Sequence, residues 1–393
     1  MKCPVCLASD HEVFWEKAQV PVLQNAPLPD EISARSVVRG RLKFVLCRAC
    51  GFAFNAGYVS SLIKYDEQYD NQQGFSGVFA KHLQGRIERL LDLGVRDRRI
   101  VEIGCGQGEF LNELVQKAGG HTEGVGYDPS YGGAEVLQGG KVSFVKSYYD
   151  RECVSGASDI VLCRHVIEHI AGPVEFLGMI AATLKGVDSR VYLETPCLEW
   201  ILRRGVVWDL FYEHCSLFTV GSLRVALERS NLSMLAASHV FEKQYLWGEA
   251  GIGSEAAFSG CYQLEMGSLL NAAAGFKLQQ EKNLARWSHK LQLWHKSSGR
   301  VAVWGAGAKG VTFVNMVDGD KELIDVVIDI NPNKQGKFVP GTGHEIIGPQ
   351  EIMNRGIRCV VVLNPNYVEE IRQLLVLQGL QGKIVLENLM SVD

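Results

Sequence analysis

The chain has 393 residues, 47% of them hydrophobic and 21% charged, with a formal net charge of −4. That length exceeds one ordinary compact domain and supplies apolar material for two or three cores. The slight acidity offers no basic field to hold nucleic acid, no apolar run approaches a membrane span, and the start Met1-Lys2-Cys3-Pro4 lacks a signal-peptide core, so the expectation is a cytoplasmic protein acting on a small molecule.

The first seventy or so residues show no helical period but carry two C-x-x-C pairs, Cys3/Cys6 and Cys47/Cys50. Each pair closes a tight turn with two thiolates aimed at one ion, and two such turns make a tetrahedral sulfur set suited to structural Zn²⁺. A redox pair or two disulfides are the competing readings. The doubled motif, in a chain without an export signal and with its other cysteines scattered singly among apolar residues, favours zinc. The stretch from Val20 to Asp30 holds three prolines and reads as loop. Phe79, Leu83, Ile87, Leu90 and Leu91 then recur at helical spacing, with Gly94 as the stop.

An alternation follows: strands over 100–103, 124–127, 159–163 and 190–193, with helices over 109–117 and 173–184. This rhythm predicts an α/β fold with a parallel, doubly wound sheet. A long helix is expected over 276–296, then a second series with strands over 301–304, 326–328, 359–363 and 383–386. The predicted organisation is a zinc module over 1–72, a cofactor domain over 73–238 and a second Rossmann-like domain over 239–393.

The sharpest signal is Val101-Glu102-Ile103-Gly104-Cys105-Gly106-Gln107-Gly108, a strand running into a G-x-G-x-G turn that opens a helix. Glycines there let the backbone approach a ligand at the carboxyl edge of the sheet. A dinucleotide site prefers G-x-G-x-x-G; the tighter spacing resembles that of class I methyltransferases, which bind S-adenosylmethionine. Asp128 ends the next strand, placed to accept both ribose hydroxyls, and Arg164 and His165 leave a later strand at the same edge. The expected cofactor contacts are Glu102, Gly104, Gly106, Gly108, Asp128, Arg164 and His165. Tight packing at the turn, and a capping role for Asp128, are the bland alternatives.

The second loop, Gly305-Ala306-Gly307-Ala308-Lys309-Gly310, does match G-x-G-x-x-G, with Asp329 after the next strand. Alone it reads as an NAD site, which keeps an oxidoreductase or a cofactor-binding regulator among the alternatives.

Taken in order, the paired C-x-x-C motifs, VEIGCGQGEF, DIVLCRHVIEH, Tyr212-Glu213-His214 and WGAGAKG resemble the three-domain, zinc-containing sugar C-methyltransferases over nearly the whole chain. That resemblance implies methylation of a nucleotide-linked keto-deoxysugar held between the two α/β domains. It makes His214, beside Glu213, the base that removes a proton next to a ketone. A carbon acceptor needs such a base, since only a carbanion equivalent attacks a sulfonium methyl. The enolate needs a hydrogen-bond donor, for which Tyr212, Tyr65 and Tyr69 are candidates. His165 and His169 are rival bases, and His214 as a satisfied core or substrate-binding histidine is the other reading. The resemblance also implies that Lys309, at a helix start, meets the diphosphate; Tyr65, Tyr69 and Asn364 complete the expected substrate contacts. The family reads Tyr-any-Glu-His, whereas Phe211 stands at that first position here. Methyl transfer to oxygen, nitrogen or another carbon of a different small molecule is the alternative this departure raises.

Overall fold

A computed structural model describes residues 1–66, 68–72, 74–150, 157–253, 266–297 and 299–390. The N-terminal stretch forms β1 (His11–Pro21), the short helix α1 (Glu31–Arg35), β2 (Arg39–Cys47) and β3 (Ala53–Asn55). β1 and β2 pair antiparallel with register shifts at Val13/Trp15 and Lys17/Val20. Those bulges break the alternation of inward and outward residues, which is why the hairpin leaves no clean period in the sequence.

The middle of the chain brings helix α2 (Gly77–Asp92), β4 (Arg99–Ile103), α3 (Glu109–Ala118), β5 (Glu123–Tyr127), β6 (Val136–Leu137), β7 (Val142–Val145), β8 (Ile160–Arg164), α4 (Pro173–Thr183) and β9 (Arg190–Pro196). Then come α5 (Leu198–Arg204), β10 (Ser216–Leu217), α6 (Val220–Glu228), β11 (Leu232–Val240) and β12 (Tyr245–Ile252). The eight strands of this sheet run β11-β12-β9-β8-β4-β5-β7-β6. The expected parallel register holds from β9 to β7, but β11, β12 and β6 are antiparallel, so the sheet is mixed. The boundary expected after residue 238 falls inside β11. Tyr245 to Gly251 bond along β9, so this hairpin belongs to the middle sheet. β10 instead joins the N-terminal sheet, in the order β1-β2-β3-β10.

The last part has helix α7 (Met266–Ser297), β13 (Arg300–Trp304), α8 (Ala308–Val317), β14 (Val326–Ile328), β15 (Ile346–Ile347), β16 (Ile357–Val362), α9 (Val368–Leu377) and β17 (Val385–Asn388). Helix α7 starts ten residues before the expected Phe276, because Asn271 to Gly275 is a run of small residues with no apolar stripe to read. Its sheet, β15-β14-β13-β16-β17, is parallel throughout.

The three parts share cores. Phe14, Trp15, Leu42 and Phe44 of the N-terminal hairpin pack with Phe276 and Trp287 of α7 and with Phe313 of α8. Phe52 and Phe54 pack with the middle sheet through Val161, Leu193 and Phe218. Among the described residues no helix is long and apolar enough to cross a membrane.

Candidate active site

The first glycine loop joins β4 to α3. Gly104, Gly106 and Gly108 all have positive φ (71°, 56° and 80°). A side chain at Gly104 would meet Val166 at 2.2 Å, so that position is fixed by packing. At Gly106 an added carbon would meet nothing within 4 Å. That residue bares its backbone to a cavity of about 890 Å³, lined also by Asp128, Arg164, His165, Tyr65 and Tyr69.

Asp128 is more occupied than a free ribose acceptor. Oδ2 accepts from the Gly106 N–H at 2.9 Å, while Oδ1 accepts from the Ser130 N–H and hydroxyl at 2.8 and 2.6 Å. A carboxylate keeps further lone pairs for a ligand, so this caging orients it without closing it. Glu102 does not line the cavity. It is fully buried beneath it, and one oxygen accepts from Arg164 Nη2 at 3.2 Å. Burial pushes the Glu102 carboxyl up, against the pull of Arg164. Arg164 in turn lies 3.6 Å from the centroid of the Phe110 ring. Glu102 therefore holds Arg164 in place, a role behind the cavity wall.

A second cavity of about 220 Å³ lies against the second glycine loop, lined by Gly305, Lys309 and Lys334 on one side and by Phe211, His214 and Tyr245 on the other. The two cavities share Tyr69, Asn71, Gln72, His165 and His169, so they meet at the histidines.

At that junction a carboxylate oxygen of Glu168 and one nitrogen each of His169 and His214 lie within 4.8 Å of one another. His169 Nδ1 bonds the Tyr65 hydroxyl at 2.7 Å. Glu168 accepts from Thr195 Oγ1 at 3.1 Å and faces His165 Nδ1 at 3.4 Å. The His214 ring packs on Phe211 at 3.9 Å, and its buried Nδ1 has no hydrogen-bond partner among the described residues. Burial first, then the neighbouring His169, His165 and Lys309, hold His214 well below the usual imidazole range. Burial likewise lowers His169. His165 has a left-handed backbone (φ 54°), uncommon for a side chain of its size, where the chain leaves β8.

Glu213 faces away from the acceptor cavity. One oxygen accepts from the Gln24 N–H at 2.7 Å, and burial pushes the carboxyl up to about 7, eased by the Gln24 amide and the Tyr69 and Tyr65 hydroxyls. Tyr212 is excluded as an enolate donor. It is fully buried, its ring fills the space over Gly40, and its hydroxyl accepts from the Val59 N–H at 2.8 Å.

Lys309 and Asn364 line the acceptor cavity but bond to protein. Lys309 Nζ donates to Asp209 at 2.8 Å and to Gln244 Oε1 at 3.2 Å, and Gln244 and Asn364 exchange two amide hydrogen bonds of 3.0 Å. The ammonium expected to meet a diphosphate is thus committed to a buried carboxylate. Lys334 offers the contrast. It is buried, and among the described residues its ammonium donates only to the Ala306 carbonyl at 3.3 Å. Gly307 leaves the N-terminus of α8 with no side-chain cap. No local pattern marks Lys334; only the fold shows that its ammonium is enclosed.

Two further residues escaped the sequence reading. Glu194, at the end of β9, is fully buried. His82 Nε2 bonds it at 2.5 Å, and that bond with the charges of His165, His82 and Arg164 outweighs burial and holds it at about 2. No local motif marks a partnership that spans 112 residues.

The four N-terminal cysteines come together as expected. Cys3 and Cys50 sulfurs lie 3.7 Å apart and Cys6 and Cys47 sulfurs 3.5 Å apart, all as free thiols. Four sulfurs at about 2.3 Å from one Zn²⁺ stand about 3.8 Å from each other in a tetrahedron, close to this spacing. The Val5 and Cys6 N–H groups point at the Cys3 sulfur at 3.4 and 3.5 Å. A hydrogen bond from Cys50 drives Cys3 down to about 5, while burial pushes Cys47 up to about 11. So crowded a set ionises together only around a cation.

The family model for a methyltransferase domain matches residues 77–237, and that for a C-methyltransferase C-terminal domain matches residues 269–386. With the glycine loop and its cavity, these matches define the chain as an S-adenosylmethionine-dependent methyltransferase. It is related to C-methyltransferases: the C-methyltransferase NovU of Streptomyces niveus is 24% identical over 387 residues, covering 94% of this chain and 91% of that protein. The ubiquinone biosynthesis O-methyltransferase of Aeromonas salmonicida (strain A449) is 30% identical over 108 residues, or 26% of this chain and 44% of that protein. Among solved structures, an O-methyltransferase family protein from Burkholderia thailandensis matches at 15% identity and TM-score 0.35, covering 44% of this chain and 56% of that one.

Proposed function

We propose that the protein transfers a methyl group from S-adenosylmethionine, held over the first glycine loop, to a carbon of a small anionic acceptor held against the second. The observation that carries this reading is the junction of the two cavities at a cluster of partly buried histidines. The bound cofactor supplies an electrophilic methyl on a sulfonium. His214 takes the acceptor proton: burial keeps its imidazole neutral, and Nδ1 is without a partner among the described residues. With Tyr212 excluded and Phe211 in the family's tyrosine position, Tyr65 and Tyr69 line the junction and would have to turn from His169 and Glu213 to face the enolate oxygen. The acceptor class is a nucleotide-linked keto-deoxysugar. Its diphosphate suits the uncapped start of α8 and the enclosed Lys334 ammonium, and the full-length similarity to a C-methyltransferase supports carbon as the site.

The test is methyl transfer from labelled S-adenosylmethionine to a panel of nucleoside-diphosphate-linked 4-keto-deoxysugars, alongside phenolic and amine acceptors. Turnover of a keto-sugar, with deuterium entering the acceptor carbon from solvent before methylation, supports the reading; turnover of the oxygen or nitrogen acceptors alone refutes it. His214→Gln is expected to lose at least a hundredfold in rate with cofactor affinity unchanged.

We also propose that Cys3, Cys6, Cys47 and Cys50 hold one structural Zn²⁺. Purified protein should carry one equivalent, and Cys47→Ser should lower both the zinc content and the melting temperature. Zinc-free wild type of full stability would be the contrary result.

A further inference from the structure

We propose that Lys309 is a positioning residue for His214: its ion pair with Asp209 pins the segment carrying that histidine to the second glycine loop and sets a cation beside the acceptor cavity. The inference rests on His214 being the base. Asp209 closes the short helical turn Val207–Asp209, five residues before His214. It is buried, and burial pushes its carboxyl up against the pull of Lys309. Lys309 Nζ meets it at 2.8 Å, bonds Gln244 Oε1 at 3.2 Å and stands 5.3 Å from the Trp200 ring centroid. The same turn packs on α8 through Trp208 and Phe313, whose rings lie 6.1 Å apart. A lysine whose task was to bind substrate phosphate would keep its ammonium free; this one spends it holding the two α/β units in register at the reacting centre.

Charge gives the pair a second consequence. Lys309 is among the groups that disfavour the imidazolium at His214, after burial and the neighbouring His169 and His165. Glu168, beside His169, and Tyr69 of the preceding loop face the same space. From the C-terminal unit Asp329, Lys334 and Glu370 line it, whereas Glu213 turns toward Gln24. Removing the Lys309 cation therefore lets His214 take a proton at higher pH. Neutralising Asp209 leaves that cation uncompensated and works in the opposite sense. A mere structural staple has no reason to give the two partners opposite signs.

The experiment titrates full-length, zinc-replete protein labelled with ¹⁵N-histidine and saturated with S-adenosylhomocysteine, with His214 signals identified by their loss in His214→Gln. Lys309→Met is expected to raise the His214 midpoint by about half a unit to one unit. Asp209→Asn is expected to leave it in place or lower it. The double variant Lys309→Met/Asp209→Asn buries no unpaired charge, supplies the measurement should Lys309→Met fold poorly, and is expected to sit above wild type. An unmoved midpoint without Lys309, or a rise in Asp209→Asn, overturns the proposal. Because no methyl acceptor is used, that failure is separate from any failure of the proposed reaction.

Discussion

In both α/β units a strand ends in a glycine loop tied to the strand beside it. Gly104 N–H donates to the Tyr127 carbonyl at 2.8 Å and Gly305 N–H to the Ile328 carbonyl at 2.7 Å. The acid after that next strand then accepts from the loop, Asp128 from Gly106 at 2.9 Å and Asp329 from Ala306 at 2.6 Å. Each acid uses its other oxygen on the turn that follows, at Ser130 and at Asn331. The loops differ in what they face. Each has one open glycine, Gly106 on the larger cavity and Gly305 on the smaller, but the second loop also turns in on itself, so that a side-chain carbon at Gly310 would stand 1.8 Å from the Gly305 carbonyl oxygen. An acid after a glycine loop is thus first a brace for the loop, and reading a ribose is an added task that depends on the open space beside it.

The largest expected effect separates the loops directly. Gly104→Ala adds a clash with Val166 to a strained backbone and should weaken S-adenosylmethionine binding at least a hundredfold by calorimetry. Gly310→Ala should cost stability and leave that affinity within about twofold. A comparable loss of affinity in both would erase the distinction between cofactor loop and acceptor loop.

Next comes a buried acid that lines neither cavity. With its carboxyl near 7 in the fold, Glu213 binds its proton more tightly folded than unfolded. Its contribution is therefore present below the unfolded value and is lost as pH rises from about 4.5 to about 7, on the order of 3 kcal/mol in all. Glu213→Gln should flatten the fall in unfolding free energy over that window, and denaturant titrations at pH 5 and pH 7.5 measure it. An unchanged slope would mean that the carboxyl is ionised throughout.

The smallest effect sharpens the two acids. Asp128→Asn should weaken cofactor binding by about tenfold, because an amide accepts fewer hydrogen bonds from ribose and loop together. Asp329→Asn should leave cofactor binding unchanged and cost about 1 kcal/mol of stability through the Ala306 and Asn331 N–H groups alone. Equal effects on cofactor affinity would show that bracing, and not ribose contact, is all that Asp128 does.

The resemblance of the two loops also explains which readings from sequence held. Strands β4, β5, β13 and β14 and helices α3 and α8 were legible because short apolar runs and glycine turns are local signals. Lys309 and Lys334 show the opposite. Position at a helix start marked Lys309 as an anion ligand, yet its ammonium lies with Asp209, 100 residues earlier; Lys334, in an unremarkable turn, holds the enclosed cation. Tyr212 sits next to Glu213 in sequence but points into the N-terminal sheet, because neighbouring residues in an irregular segment need not share a direction.

By itself the sequence determined the cysteine set, the two glycine loops and the strand-helix rhythm between them, since each depends on residues a few positions apart. The tertiary structure decided which charges are spent and which are available: Asp209 on Lys309 and Glu102 on Arg164, with Glu213 held by the Gln24 backbone N–H. It also decided that the hairpin β11–β12 completes the middle sheet. Those outcomes come from pairings across tens to hundreds of residues, where burial sets the cost of every unmatched charge, and no local pattern records which partner the folded chain brings within reach.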